Sequence, residues 1–389
     1  MDYNNDGDLD LAVNGRNYAR IYRNDGTGHF PDWWELPRSV SAMIWGNYDG
    51  DGDLDLLLTS GEDRNDPNKL YRNQGGNFTL DKEFAAFWGS ANHSAWGDID
   101  ADGDLDLVAP TRTDWGFLGL YINDGSGNLI PNFPPYLNHS SPRTGLVWGD
   151  MDNDGYPDLV AALHDYPARI YRNKGGDLLF DVVIKLPQAS PDGGRSPALA
   201  DIDGDGDLDF ILTGGKPWTN ERYTILYKNT ASDKSPNTSP SPPSNLRTEV
   251  HGNTVVFSWD AGSDAETPAP GLTYNLRVGK TSGGNEVLSG VVPPGFGNVG
   301  HGLSHFLKNL PDGTYYWSVQ TVDAGYARSD WAPEQTFTIS TTGRFTETAE
   351  LLSGRSCVVA LGDLDGDEDI DLVVGIGGAV SYTHLTLPT

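Results

Sequence analysis

The chain of 389 residues carries 26 Lys and Arg against 55 Asp and Glu, a formal net charge of −29. Such acidity excludes nucleic acid and insertion into anionic membrane, since both partners select basic protein surfaces, and no apolar run approaches the roughly 20 residues of a membrane helix. The single Cys357 rules out an internal disulfide and reads as a buried inert thiol in a strand, while 48 Gly, 25 Pro, 11 Trp and 17 Tyr favour short strands and many turns.

The chain opens on a nine-residue acidic stretch, Asp2, Asn4, Asp6, Asp8 and Asp10, with Gly7 at its sixth position and the apolar run Leu11-Ala12-Val13 after it. The stretch is written six times. The further copies are Asn47, Asp49, Asp51, Asp53 and Asp55; Asp98, Asp100, Asp102, Asp104 and Asp106; Asp150, Asp152, Asp154, Tyr156 and Asp158; Asp201, Asp203, Asp205, Asp207 and Asp209; and Asp363, Asp365, Asp367, Asp369 and Asp371. Together they hold 28 of the 55 acidic residues. Met1 stands where later copies have the Gly of Trp-Gly-Asp, so the chain is expected to begin inside a repeat.

The first five copies begin 45, 51, 52 and 51 residues apart, and a fixed period of this size marks a propeller or a solenoid. Each copy leads into an apolar strand. A second signature follows it, Ile21-Tyr22-Arg23-Asn24, Leu70-Tyr71-Arg72-Asn73, Leu120-Tyr121-Ile122-Asn123, Ile170-Tyr171-Arg172-Asn173 and Leu226-Tyr227-Lys228-Asn229, and then a Gly-containing turn that reads as a hairpin. A third strand ends in Trp45-Gly46, Trp96-Gly97 or Trp148-Gly149 just before the next copy. One period therefore predicts three or four short strands, one propeller blade. Trp45, Trp96 and Trp148 are expected in the core; Trp33, Trp34, Trp88, Trp115 and Trp218, in segments of varying sequence, are the better candidates for ligand contact.

Carboxylates at positions one, three, five and nine, with Gly at six for a sharp turn, suit a hard cation with oxygen ligands. An EF-hand needs a bidentate Glu at position twelve, where this chain has Val13, Leu58, Ala109, Ala161, Leu212 and Val374. The cage must then close at position nine, with position seven offering its carbonyl. Mg²⁺ keeps its waters and Zn²⁺ would want His and Cys, so Ca²⁺ is the expected ion, about one per loop at five or six sites. Asn47 keeps a neutral oxygen ligand, Tyr156-Pro157 is harmless if position seven uses its carbonyl, and Glu368 in place of Gly weakens the sixth loop.

Residues 230–242 are a Pro/Ser linker. Beyond it, over 243–340, Val255 to Trp259, Leu272 to Val278 and Tyr315 to Val322 alternate apolar and polar, which fits a small immunoglobulin-like β-sandwich. His301 and His305 read as solvent-facing residues of a loop there. Repeat character returns over 341–379, and 380–389 resemble the translation of a sequencing adapter. The class is thus all-β.

No catalytic constellation is visible. Every conspicuous Asp belongs to a repeated loop, no His-Glu-x-x-His occurs, and no Gly-rich loop cradles a phosphate. The repeats over 2–229 and 345–379 resemble FG-GAP or VCBS repeats of integrin-α-like β-propellers, and 243–340 resemble a fibronectin type III domain on Trp259 and on Leu310-Pro311-Asp312-Gly313-Thr314-Tyr315. The first resemblance implies calcium held by side chains at positions one, three, five and nine and by the carbonyl at seven. It implies a secreted or cell-surface adhesive scaffold for an extracellular protein or glycan ligand, without catalysis. The alternative is the propeller part of a secreted polysaccharide lyase or hydrolase; a spacer with no ligand of its own is a third reading.

Overall fold

The computed structural model describes residues 1–15, 18–37, 40–60, 67–84, 94–111, 117–132, 145–162, 168–175, 177–183, 196–215, 222–230, 236–290 and 292–340, and beyond these the strands 357–362, 371–376 and 379–383. It divides into two compact units, Met1–Ser340 and Thr341–Thr389. Among the described residues there is no α-helix, only strands and one 3₁₀ turn at Ala269–Gly271. Among the described residues no helix is long and apolar enough to cross a membrane.

Five antiparallel meanders make the first part of the larger unit. Sheet 1 is β1 (Leu11–Gly15), β2 (Tyr18–Arg23) and β3 (Asp32–Glu35); sheet 2 is β4 (Val40–Gly46), β5 (Asp55–Ser60), β6 (Asn68–Gln74) and β7 (Asn77–Phe84). Sheet 3 is β8 (Ala95–Gly97), β9 (Asp106–Thr111), β10 (Phe117–Asn123) and β11 (Leu129–Asn132); sheet 4 is β12 (Gly145–Gly149), β13 (Asp158–Ala162), β14 (Arg169–Lys174) and β15 (Asp177–Val183); sheet 5 is β16 (Ser196–Ala200), β17 (Asp209–Gly215) and β18 (Arg222–Tyr227). The three or four strands expected per period are all present. The second to fifth acidic stretches each join the first strand of their sheet to the second, as Gly97 paired with Asp106 across β8 and β9 shows, and the first stretch leads into β1.

Alternation along β5, β9 and β13 sends successive side chains to opposite faces, and both faces are apolar because sheets 2, 3 and 4 each lie between two others. Leu56 and Leu58 pack on Ile21 of the sheet before, and Leu57 and Leu70 pack on Leu107 of the sheet after. The same relation joins sheets 3 to 4 and 4 to 5. The tryptophans expected in the core lie there: a Cβ on Gly46 would stand 2.8 Å from the Trp96 ring and one on Gly97 2.8 Å from Trp148. These glycines let a ring from the next sheet lie flat on the backbone. Trp34, read as a ligand-contact candidate, instead stacks on Phe78 at 4.8 Å between sheets 1 and 2; its neighbour Trp33 is exposed. Trp88, Trp115 and Trp218 lie outside the described residues.

After sheet 5 come β19 (Ser244–His251), β20 (Thr254–Asp260), β21 (Thr273–Gly279), β22 (Ser304–Leu307), β23 (Gly313–Val322) and β24 (Gln335–Ile339). They form two three-stranded antiparallel sheets, β19-β20-β22 and β21-β23-β24, around one core that includes Phe257, Trp259, Tyr274 and Trp317. The smaller unit contains one antiparallel sheet of β25 (Cys357–Gly362), β26 (Asp371–Ile376) and β27 (Ala379–Thr383). The side chain of Cys357 and residues 363–370 of the sixth acidic stretch lie outside the described residues.

Candidate metal loops

Among the described residues every acidic stretch folds around its ninth carboxylate, and the first, third, fourth and fifth also fold around their first. The first accepts from the N–H groups of positions five and six: Asp98 from Asp102 at 3.1 Å and Gly103 at 3.0 Å, Asp150 from Asp154 at 3.2 Å and Gly155 at 2.7 Å. The ninth accepts from position two and from the Asn of the second signature: Asp106 from Ile99 at 2.8 Å and Asn123 at 2.7 Å, Asp55 from Tyr48 at 3.0 Å and Asn73 at 2.8 Å. Position six has a left-handed φ, +89° at Gly155, and a Cβ there would fall 1.9 Å from the Glu266 carbonyl oxygen. Position four is left-handed too, at Asn5, Ala101 and Asn153.

The folding brings candidate ligands together. Carboxylate oxygens of Asp98, Asp100 and Asp106 lie within 4.8 Å of one another, as do those of Asp150, Asp152 and Asp158 and those of Asp201, Asp203 and Asp209. These are positions one, three and nine of the third, fourth and fifth loops. The first and second loops have Asn4 and Asn47 at one of these positions, so they offer two carboxylates and an amide oxygen. Position-five side chains do not enter the clusters; Asp102, for example, accepts from the Asp104 N–H at 3.0 Å. Position-seven side chains link neighbouring loops instead, since Asn5 donates to Asp53 at 2.9 Å and Asn153 donates to Asp207 at 2.6 Å.

Crowding and burial show in the acidities. Burial, with neighbouring carboxylates adding to it, raises Asp98 and Asp55 to about 8, and Asp2, Asp106 and Asp150 to about 7. Asp158 is also pushed well up by burial. Buried oxygens with no hydrogen-bond donor, Asn47 Oδ1 and Asp100 Oδ1, stand at positions one and three. Oxygens held dry, close together and without donors suit a hard divalent cation.

Sequence reasoning saw the Tyr-Arg-Asn signature as the start of a hairpin, and the hairpin is there: β2 with β3, β6 with β7, β10 with β11 and β14 with β15. Its chemistry was missed. The Asn side-chain amide spans two sheets: Asn123 donates to the Leu105 carbonyl of its own loop at 3.2 Å and to the Tyr48 carbonyl of the preceding loop at 2.7 Å. Asn73 does the same to Leu54 and Tyr3, and Asn173 to Pro157 and Ile99. The basic residue turns onto an acidic side chain: Arg72 lies 3.1 Å from Asp49, Arg172 3.2 Å from Asp152 and Arg23 3.5 Å from Asp6, and Lys228 pairs with Asp203 and Asp205. Their recurrence at one offset from the loop was the available signal.

His301 overturns its reading as a solvent-facing residue. Its side chain is 8% exposed, with Nδ1 3.2 Å from the Leu272 carbonyl and 3.6 Å from Asp98 Oδ2. Burial lowers its pKa to about 4, so it is neutral. His305, in β22, is likewise lowered to about 4 by burial. His301 sits where the later sheets close over the loops. Position six of every described loop meets that part of the chain: Gly7 faces Val287, Gly52 faces Phe306, Gly103 faces Pro270, Gly155 faces Glu266 and Gly206 faces Asn237.

The comparisons agree with this repeat. Residues 2–58, 47–109 and 150–212 each match the FG-GAP-like repeat. The chain carries three FG-GAP-like repeats. Over 180 residues it is 28% identical to T-cell immunomodulatory protein of Rattus norvegicus, covering 45% of this chain and 29% of that one. Over 171 residues it is 27% identical to cartilage acidic protein 1 of Mus musculus, covering 40% of this chain and 26% of that one. The chain thus spans less than a third of these relatives.

Proposed function

We propose that this chain is a calcium-stabilised, non-catalytic recognition scaffold that acts outside the cell. Propeller-like blades and a fibronectin type III-like sandwich would present inter-strand segments to a protein or glycan ligand. The observation that carries the reading is the clustering of positions one, three and nine within 4.8 Å in three consecutive loops. Those residues, with Asn4, Asn47 and their partners in the first two loops, would hold Ca²⁺, and the ion would neutralise carboxylates that burial otherwise keeps protonated. The sandwich reading is supported by the buried Trp259 and by Tyr315, whose hydroxyl donates to the Pro311 carbonyl at 2.7 Å in the manner of a tyrosine corner. A role outside the cell accords with relatives named for immunomodulation and for cartilage. Non-catalytic function accords with a chain whose conspicuous acids all belong to repeated loops.

Extracellular calcium modules bind with dissociation constants of about 0.1 to 1 mM, so the tighter end stabilises by about 1.4 kcal/mol per site at millimolar calcium. Titration calorimetry on the chelated 389-residue chain should show uptake of several ions, with a rise in melting temperature. Absence of heat together with a melting point indifferent to EGTA would sink the calcium reading.

A further inference from the structure

In the first five loops both oxygens of the ninth-position carboxylate are held by backbone donors. Oδ2 accepts from the N–H of position two in its own loop: Asp10 from Tyr3 at 3.1 Å, Asp55 from Tyr48 at 3.0 Å, Asp106 from Ile99 at 2.8 Å, Asp158 from Met151 at 3.0 Å and Asp209 from Ile202 at 3.2 Å. Oδ1 accepts from the N–H of the signature Asn, 2.7 to 2.9 Å away at Asn24, Asn73, Asn123, Asn173 and Asn229. All five carboxylates are buried.

The side-chain amides carry the contact from loop to loop. Asn73 donates to the position-two carbonyl of Tyr3 at 2.6 Å, Asn123 to that of Tyr48 at 2.7 Å, Asn173 to that of Ile99 and Asn229 to that of Met151 at 2.8 Å. These links join end to end. From Asp10 one hydrogen-bonded line runs through Tyr3 and Asn73 to Asp55, through Tyr48 and Asn123 to Asp106, through Ile99 and Asn173 to Asp158, and through Met151 and Asn229 to Asp209. Three of the carboxylates on it, Asp106, Asp158 and Asp209, belong to the clusters of candidate ligands. The first and fourth loops have a second tie to the next loop, Asn5 to Asp53 and Asn153 to Asp207. Gly50 and Ala101, at the same position of the second and third loops, have no amide to make one.

We propose that this line couples the loops, so that Ca²⁺ bound in one loop raises the affinity of the loops beside it. The inference rests on the calcium reading above and adds a mode of uptake to it. Position nine would be a ligand, and fixing it on an ion fixes position two and the signature Asn, the groups that also hold position nine of the neighbouring loop. That neighbour has less freedom to lose when its own ion arrives, which gives positive coupling without a change of fold.

The test reads each loop separately, by hydrogen exchange and mass spectrometry on the whole chain with calcium as the titrant. Asp98→Asn with Asp100→Asn empties the third loop. Asn123→Ala cuts the line between the second and third loops and leaves every carboxylate ligand in place; Asn173→Ala does the same between the third and fourth. Each variant is first checked for an unaltered circular dichroism spectrum. Emptying the third loop should raise the calcium concentration that half-protects the second by about fivefold or more. In the Asn123→Ala background the same change should leave the second loop's midpoint where it was, and the Asn173→Ala background should do so for the fourth. A second loop indifferent to the third, or a shift of equal size with and without the linking amide, would overturn the coupling while leaving calcium binding intact. Protection of no loop by calcium would remove the calcium reading and the coupling with it.

Discussion

Asn123 ties two sheets together with one side-chain amide. It is 3% exposed and donates to carbonyls of its own loop and of the loop before, while its backbone N–H closes on Asp106. Removing the amide strands two buried carbonyls, so Asn123→Ala should lower stability by about 2 to 4 kcal/mol in urea titration, and Asn24→Ala, whose amide reaches only its own loop, by under about 1 kcal/mol. Equal effects of the two would contradict the linking role. The buried carboxylates set a second expectation. Asp98 and Asp55 rise from 3.8 to about 8, so the folded, metal-free chain keeps protons that the unfolded chain has lost. Between about pH 4 and pH 8 the native state then binds more protons, and its stability falls as pH rises. Melting temperature in EGTA should drop across that window; a flat or rising profile would contradict burial of these groups.

The element best read from sequence is the loop with its following strand, because spacing alone places carboxylates at alternate positions and an apolar run after them. Trp96 and Trp148 were equally legible as core, since they recur at one position of the period. Other features were not, and the reasons are physical. Trp34 and Trp33 are adjacent in sequence and lie on opposite faces of β3, so only the pairing partner decides which is buried. His301 gained its burial from Asp98, roughly two hundred residues away, and no local pattern encodes that contact. Gly155 shows the same limit: the turn requirement was readable, but not the Glu266 carbonyl beside it. Gly155→Ala should therefore destabilise well beyond the cost of a left-handed φ, about 1 to 2 kcal/mol. Gly204→Ala, left-handed with nothing within 4 Å, should cost only that strain. Chemical denaturation of both variants would separate the two contributions.

Across the larger unit, the double-sheet part and the repeat sheets share contacts along the loops. The Asp150 N–H donates to the Ala324 carbonyl at 2.9 Å, the Lys308 N–H to the Asn5 carbonyl at 2.7 Å, and the Tyr326 hydroxyl to the Trp148 carbonyl. Asn237, beyond the Pro/Ser segment, donates to Asp323 at 2.9 Å. Residues 1–340 should consequently unfold in one calorimetric transition; two well-separated transitions would show that these contacts do not couple the parts.

The basic residue that leans on an acidic one in sheets 1, 2, 4 and 5 is replaced in sheet 3 by Ile122, and the neutral His301 stands there instead. In the second, fourth and fifth loops the paired acid is the position-three carboxylate, a candidate ligand, whereas in the first it is position five. If these loops hold Ca²⁺ as proposed, the third should fill at a lower ion concentration than the loops whose position-three carboxylate is already paired, which a titration of single-loop variants would show.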